Sequence, residues 1–483
     1  MRGVACAVVV ALAAGLAAAA PGPAHAQLPA IPIPGPLDGP LPPFQGAPAE
    51  PRPLSGPFPP ANPALAPDGA SGSGLASGNG AASPNPGPLG RGTARAGALQ
   101  FGTCASLAFD ATARLLAVCN GILGPALRLI HPDTLATIAT LTLPLRTSGD
   151  RTDLAGGTHF VVRADGSLLV PTNAGTLITV AVDRAALRQT GTIGLSHVLR
   201  SGERPFAVGA GFDGRDWVAG NQGTIVTLPR EAGPPRALRL NEPIAEDLAT
   251  DPTGTYVVTR YALYRLRAGE DGTPRVVWRQ PLPQGVADPR AGRLHLGSGT
   301  PPVVVAGRFV AVADGLNPPR VTVVRIRGRS ARRLACAVPV FRPGQGSVEA
   351  HLVAAGRSVV AMNAYGYENL LTTEGGRTTS GGIARVVVGR RGCRVAWTSA
   401  AISPSAQPVV SRETGLLYTL VKPAGFPDAW NLAALDWRTG DLRFQALAGE
   451  GLGHNSEGGA VVLGPDGAAY AGTFGGVVRF RDR

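Results

Sequence analysis

Lysine is almost missing from this chain: Lys422 is the only one, and arginine carries the rest of the positive charge. Aromatic residues make up 5% of the sequence and methionine occurs twice. No stretch holds a sustained helical period, and 66 Gly and 45 Pro would interrupt helices, so an α-rich fold is excluded. The seven His stand singly, without His-x-x-x-His or Cys-x-x-Cys spacing, which removes the common zinc and dithiol sites. There is no Asp-x-Asp-x-Asp-Gly calcium loop and no Gly-x-Ser-x-Gly elbow. After the first twenty residues no apolar run is long enough to span a bilayer. The formal charge is +13, but the arginines are scattered over many segments without an interleaved aromatic stripe, so nucleic acid is not an expected partner.

Residues 1–26 read as a secretory signal peptide. Arg2 is the only early charge, Val4 to Ala20 is apolar, and Ala24-His25-Ala26 fits a small-x-small cleavage site. Residues 27–98 are rich in Pro, Gly, Ala and Ser and poor in aromatics. This composition predicts a disordered, polyproline-like tether that builds no packed core. The propeller-like remainder is expected over 99–483.

That remainder repeats itself at a period of roughly 40–55 residues. The clearest copies come last. One runs through Glu413-Thr-Gly-Leu-Leu-Tyr418 to Asp436-Trp-Arg-Thr-Gly440, and the other through Gly464-Pro-Asp-Gly467 to Phe480. Weaker copies reach back to about Cys104. Each unit is a short Val/Leu/Ile/Tyr strand, an Asp-Gly or Thr-Gly turn, and further strands. Units of three or four antiparallel strands at this spacing predict an all-β propeller of eight blades, with seven as the alternative. The last unit shows three strands, so a strand from about Ala98 to Cys104 is expected to close the ring.

Asp436-Trp-Arg-Thr-Gly440 after Leu-Ala-Ala-Leu resembles the repeat of pyrroloquinoline-quinone-type propellers, with their Ala-Leu-Asp-x-x-Thr-Gly turn. Gly297-Ser-Gly-Thr-Pro, Cys336-Ala-Val-Pro-Val-Phe341, Asn363-Ala-Tyr-Gly-Tyr367, Gly392-Cys393-Arg-Val-Ala-Trp and His454-Asn455 resemble a family of secreted, mostly uncharacterised quinoprotein-like propellers. The likeness covers roughly residues 240–483 and implies a fold rather than an activity. Quinone-dependent dehydrogenases of this type carry an adjacent Cys-Cys pair and a bound Ca²⁺ beside the quinone. No Cys-Cys occurs here, so no cofactor is expected, and PQQ or Ca²⁺ would rest on the resemblance alone.

Four cysteines remain beyond the leader, an even number that suits disulfides in an exported chain. Cys104 and Cys119 are placed on neighbouring strands of the first blade. Cys336 and Cys393 occupy similar places in consecutive repeats, where the divergence of blades decides between a bridge and free thiols.

The densest polar and aromatic stretch is Glu349 to Arg377. It supplies Glu349, Asn363, Tyr365, Tyr367 and Glu368 as candidate binding residues, and Glu246, Asp314 and Asn455 fall at comparable turns. Rings that stack and carboxylates or amides that bind hydroxyls suit a polar polymer or a protein surface. Turn hydrogen bonding and packing between blades account for the same residues without a ligand. The leading expectation is an exported, monomeric binding or scaffold propeller that recognises an extracellular or cell-envelope polymer or a protein partner. The alternative is a channel enzyme, either quinone-dependent or using Glu349, Glu368 or Glu457 as hydrolase or lyase carboxylates.

Overall fold

A computed structural model describes residues 30–33, 42–67, 80–121, 124–145, 159–230, 233–283, 292, 298–328 and 333–483. The expected signal peptide lies outside the described residues. Eight antiparallel sheets form the blades of a β-propeller. The innermost strands, in chain order, are Thr103–Phe109, Val161–Val162, Pro205–Ala210, Ala249–Asp251, Val303–Val305, Val353–Ala355, Val409–Ser411 and Val461–Leu463. Most are only three or so residues long and buried on both sides, so they read as short apolar runs without alternation. Outer strands such as Pro274–Pro281 are half exposed. Each hydrophobic cluster spans two consecutive blades; one joins Val303, Val323, Leu352 and Val386 of blades 5 and 6. Blade-on-blade packing is therefore the core.

The repeated Asp-Gly has a physical role. The turn from the first to the second strand of a blade is pinned by an aspartate that accepts a backbone N–H two residues on. Asp165 bonds Ser167, Asp213 bonds Arg215 and Asp466 bonds Ala468, at 2.9, 3.2 and 3.2 Å. The following glycines, Gly166, Gly214 and Gly467, sit at φ 82, 77 and 77°. An aromatic in the second strand then reaches back to the same aspartate, as Trp217 does to Asp213 at 3.2 Å and Tyr470 to Asp466 at 3.0 Å. The Asp436-to-Gly440 turn works similarly: the Asp436 carboxylate accepts the amides of Arg438 and Thr439, at 2.8 and 3.2 Å. A Cβ on Gly440 would lie 2.6 Å from the Trp397 ring, so this glycine lets blade 6 close onto blade 7.

Ring closure differs from expectation in its register. The strand that completes blade 8 is Ala94–Leu99, paired with Gly476–Arg481, and not a strand from Ala98 to Cys104. Cys104 instead lies in the innermost strand of blade 1. Both disulfides are present. Cys104–Cys119 ties two strands of blade 1 across a Cα–Cα distance of 4.0 Å, and Cys336–Cys393 joins the outer strands of blades 5 and 6 across 5.9 Å.

The expectation of a disordered tether over 27–98 is wrong for the described residues 42–67 and 80–98. They form a strap. Phe44–Gly46 adds a strand outside blade 7, and Ala82–Ser83 pairs parallel to that blade's innermost strand. Between them Leu65 bridges Arg163 of blade 2, and Asn62 donates to the Ala210 carbonyl of blade 3 at 2.6 Å. Leu54, Phe58, Ala64 and Leu65 pack into the blade cores there. The strap thus crosses from blade to blade at the end of the channel where first strands turn into second strands. Proline-rich chain can do this without regular structure because its sparse amides are satisfied by the propeller: Leu54 donates to the Arg412 carbonyl at 2.7 Å and Arg52 to that of Thr414 at 2.9 Å.

Candidate functional site

A propeller has two faces. One carries the turns from first to second and from third to fourth strand; the strap covers the channel there. The other carries the second-to-third loops and the blade-to-blade connections and is called the loop face below. By connectivity, Glu246, Asp314, Glu349, Asn363, Tyr365, Tyr367, Glu368 and Asn455 all lie on the loop face, since each falls in one of those two kinds of segment.

Their settings differ. Asn363 is buried and fully engaged. Its side-chain oxygen accepts from the amides of Ser347 and Tyr365 at 3.0 and 3.1 Å, and its nitrogen donates to the carbonyls of Gln345 and Gly381 at 2.9 and 3.1 Å. It closes the base of the 363–382 loop. Asp314 is buried against Arg320, 2.7 Å away, and accepts the Leu316 and Arg320 amides, as a turn aspartate does. Tyr367 is buried and donates its phenol to Asn455 at 3.2 Å. Asn455 is fully buried and donates in turn to Thr373 at 3.0 Å and to the Leu370 carbonyl at 3.3 Å. Tyr365 and Glu246 are half-buried, and Glu368 is exposed. Glu349 lines a small, partly open cavity of about 40 Å³ with Gly292, Tyr367, Ser405 and Gln407. That volume holds a few waters rather than a substrate.

The loop from blade 6 is thereby pulled inward across the channel end. Its tip is a short 3₁₀ turn, Leu370–Thr373, capped by Asn369. A second anchor comes from blade 7. The ammonium of Lys422, fully buried, lies 3.3 Å from the Asp428 carboxylate and donates to the carbonyls of Arg377 and Pro423 at 3.2 and 3.1 Å. Asp428 accepts the amides of Gly375 and Gly376 at 2.8 and 2.6 Å. The one lysine in the chain thus clamps this loop, a role invisible to residue counting.

Burial also sets the titration of the neighbours. His351 donates through Nε2 to the Pro408 carbonyl at 2.7 Å, and burial pulls its pKa down to about 4. His454, at 3.0 Å from the Glu450 carbonyl, is lowered by the same cause. Burial pushes the carboxyls of Glu457 and Asp247 up, opposed in the first by a hydrogen bond from Thr103 and in the second by His159, 3.3 Å away. Among the described residues no group of three or more His, Cys, Asp or Glu is placed to hold a metal ion.

What residue types alone did not single out is the apolar content of the loop face. Phe101, Leu145, Tyr261, Leu371, Phe426 and Phe474 are exposed, Phe426 by 79% and Leu371 by 61%. Each belongs to a second-to-third loop or a blade connection. In the sequence they lie far apart, and only the propeller's connectivity puts them on one side.

Comparison with known proteins gives the architecture and little more. No family model matches the chain. An uncharacterized protein of Archaeoglobus fulgidus is 30% identical over 317 residues, which cover 58% of this chain and 61% of that relative. The chain therefore spans less than two thirds of the relative's length. Among solved structures, quinohemoprotein alcohol dehydrogenase from Comamonas testosteroni superposes with a TM-score of 0.53 at 11% identity, covering 87% of this chain and 80% of that one. BamB from Moraxella catarrhalis matches with a TM-score of 0.43 at 11% identity, over 68% of this chain and 88% of that one. The likeness to the dehydrogenase is one of fold.

Proposed function

We propose that this is an exported, quinoprotein-like propeller that acts as a binding scaffold, docking a protein partner through its loop face. The observation that carries the reading is the collection of six exposed aromatic and aliphatic side chains on that face. Scattered singly, exposed apolar residues need no explanation; gathered on one side of a rigid disc they are the usual anchors of an interface. Leu371 and Phe426 stand foremost, on adjoining loops rimmed by Glu368, Asn369 and Arg377. The ring of Phe426 covers Gly376, where a Cβ would meet it at 3.1 Å. The Lys422–Asp428 clamp holds these loops in one arrangement, which lowers the ordering cost of association. Two disulfides and the apolar leader support export.

The test compares proteins retained from the envelope fraction of the producing cell by the wild-type chain and by Leu371→Asp/Phe426→Asp. A specific partner held by the first and lost by the second supports the reading. Identical retention by both contradicts it.

A further inference from the structure

On the turn face, between blades 5 and 6, lies a groove of about 300 Å³. It is lined by Arg308, Arg325, Arg357 and Arg390 above an apolar floor that includes Phe309 and Val388. We infer that this groove is an oxyanion site, built for the phosphate or sulfate ester groups of an anionic ligand. It is separate from the loop face and does not depend on the function proposed for that face.

Among the described residues the groove is lined by four arginines and no carboxylate. The charge arrangement of the two blades explains why. Residues 315–348 and 375–412 contain no Asp or Glu. The acidic residues between positions 298 and 402 are Asp314, Glu349, Glu368 and Glu374, and all four fall in loop-face segments. The turn-face connections at 306–308, 356–357 and 389–392 carry arginine without a counter-charge. Several arginines elsewhere in this protein sit beside a carboxylate, as Arg114 does with Asp110 and Arg443 with Asp436. Arg308 and Arg390 are exposed and make no side-chain hydrogen bond or ion pair among the described residues.

The remaining two arginines are held in place. Arg357 donates through Nε to the Val388 carbonyl at 2.8 Å and lies over the Phe309 ring at 5.7 Å. Arg325 donates to the Leu334 carbonyl at 3.0 Å. The Cys336–Cys393 disulfide joins the two outer strands beside the groove, and Cys393 is part of its lining. Two arginines held by backbone carbonyls and two exposed ones with no carboxylate partner among the described residues line one groove, and an anion there would meet several guanidinium donors at once. The planar, multi-donor guanidinium matches a tetrahedral oxyanion. The groove is wider than one such ion, which leaves room for the ester to be part of a larger molecule.

The experiment titrates the full chain with inorganic phosphate, inorganic sulfate and a heparin-derived octasaccharide, following heat or intrinsic fluorescence at several salt concentrations. Arg308→Gln/Arg390→Gln is compared with Arg236→Gln/Arg239→Gln, an equal loss of charge from the exposed outer strand of blade 3. The expected result is a tenfold or greater weakening in the groove pair only, with a shallower salt dependence. Tight octasaccharide binding with weak inorganic ions identifies a polymer-borne ester as the source. Comparable binding of the inorganic ions identifies a free oxyanion. No binding of any probe, or equal weakening in both pairs, overturns the inference. Both variants change exposed side chains, and an unchanged circular dichroism spectrum confirms folding.

Discussion

The phenol of Tyr367 donates to the side chain of Asn455, 88 positions later and 3.2 Å away, and so ties the long loop of blade 6 to the connection between blades 7 and 8. The bond is buried, so removing the hydroxyl leaves Asn455 short of a partner. Tyr367→Phe is expected to cost about 1 kcal/mol. Its signature is faster hydrogen exchange confined to residues 363–382, with the outer strands unchanged.

Lys422 makes a second prediction because it is both unique and buried. Amine acylation of the folded chain is expected to spare it and to modify it once the protein is unfolded, as read by peptide mass. Lys422→Met removes one partner of a mostly buried pair and is expected to destabilise by about 3 kcal/mol. The 363–382 loop should become the first site of proteolysis.

The buried histidines set a pH dependence. His351 has a folded pKa of about 4, below its ordinary value of 6.5. Between those values the unfolded chain binds more protons than the folded one, so stability is full above pH 6.5 and falls as pH drops towards 4. His351 alone accounts for a loss of about 3 kcal/mol across that window, and His454 acts in the same direction. Denaturant midpoints measured from pH 7 to pH 4 should decline, and His351→Gln should flatten the decline.

The strap should stabilise the ring it crosses. Tyr418 donates to the Pro88 carbonyl at 2.9 Å, Arg438 to those of Arg52 and Pro53 at 2.7 and 2.8 Å, and Phe44 stacks on Phe444 at 5.6 Å. Deleting residues 27–89 keeps the closing strand Ala94–Leu99 but bares Tyr418 and Phe444. Thermal unfolding should occur at a lower temperature, with increased binding of a hydrophobic dye. An unchanged midpoint would make the strap a passive covering.

The two disulfides should differ in worth. Cys104–Cys119 closes a separation of 15 residues and Cys336–Cys393 one of 57. In the chain-entropy model these correspond to about 3 and about 4 kcal/mol. Denaturant unfolding of Cys104→Ser/Cys119→Ser and Cys336→Ser/Cys393→Ser should show the larger loss in the second pair.

The propeller itself was legible because its signals are local. Asp466-Gly467 and Thr439-Gly440 are turn chemistry, and Leu-Leu-Tyr418 is strand chemistry, each readable in a few residues. The strap was not legible. Its proline-rich composition matches a disordered tether, and it is ordered only because exposed carbonyls and apolar gaps at the channel end accept it. The candidate site was half legible. Placing Tyr365 to Thr379 on one long loop was possible from spacing alone. That Tyr367 and Asn455 would be consumed in holding that loop, and that Leu371 and Phe426 would be left exposed beside it, depends on contacts made across 50 to 90 residues. The arginine groove was hidden for the same reason: arginines scattered along the chain converge where two blades meet.

The proposed docking of a protein partner on the loop face can be tested in the producing cell. The most direct measurement places a photo-crosslinking phenylalanine analogue at Phe426, at Leu371 and, for comparison, at Val276 on the outer strand of blade 4, in cells that produce the protein. The account predicts a covalent adduct with one and the same macromolecule from positions 426 and 371 and none from 276. Adducts from position 276 alone, or none from either loop position, would contradict it.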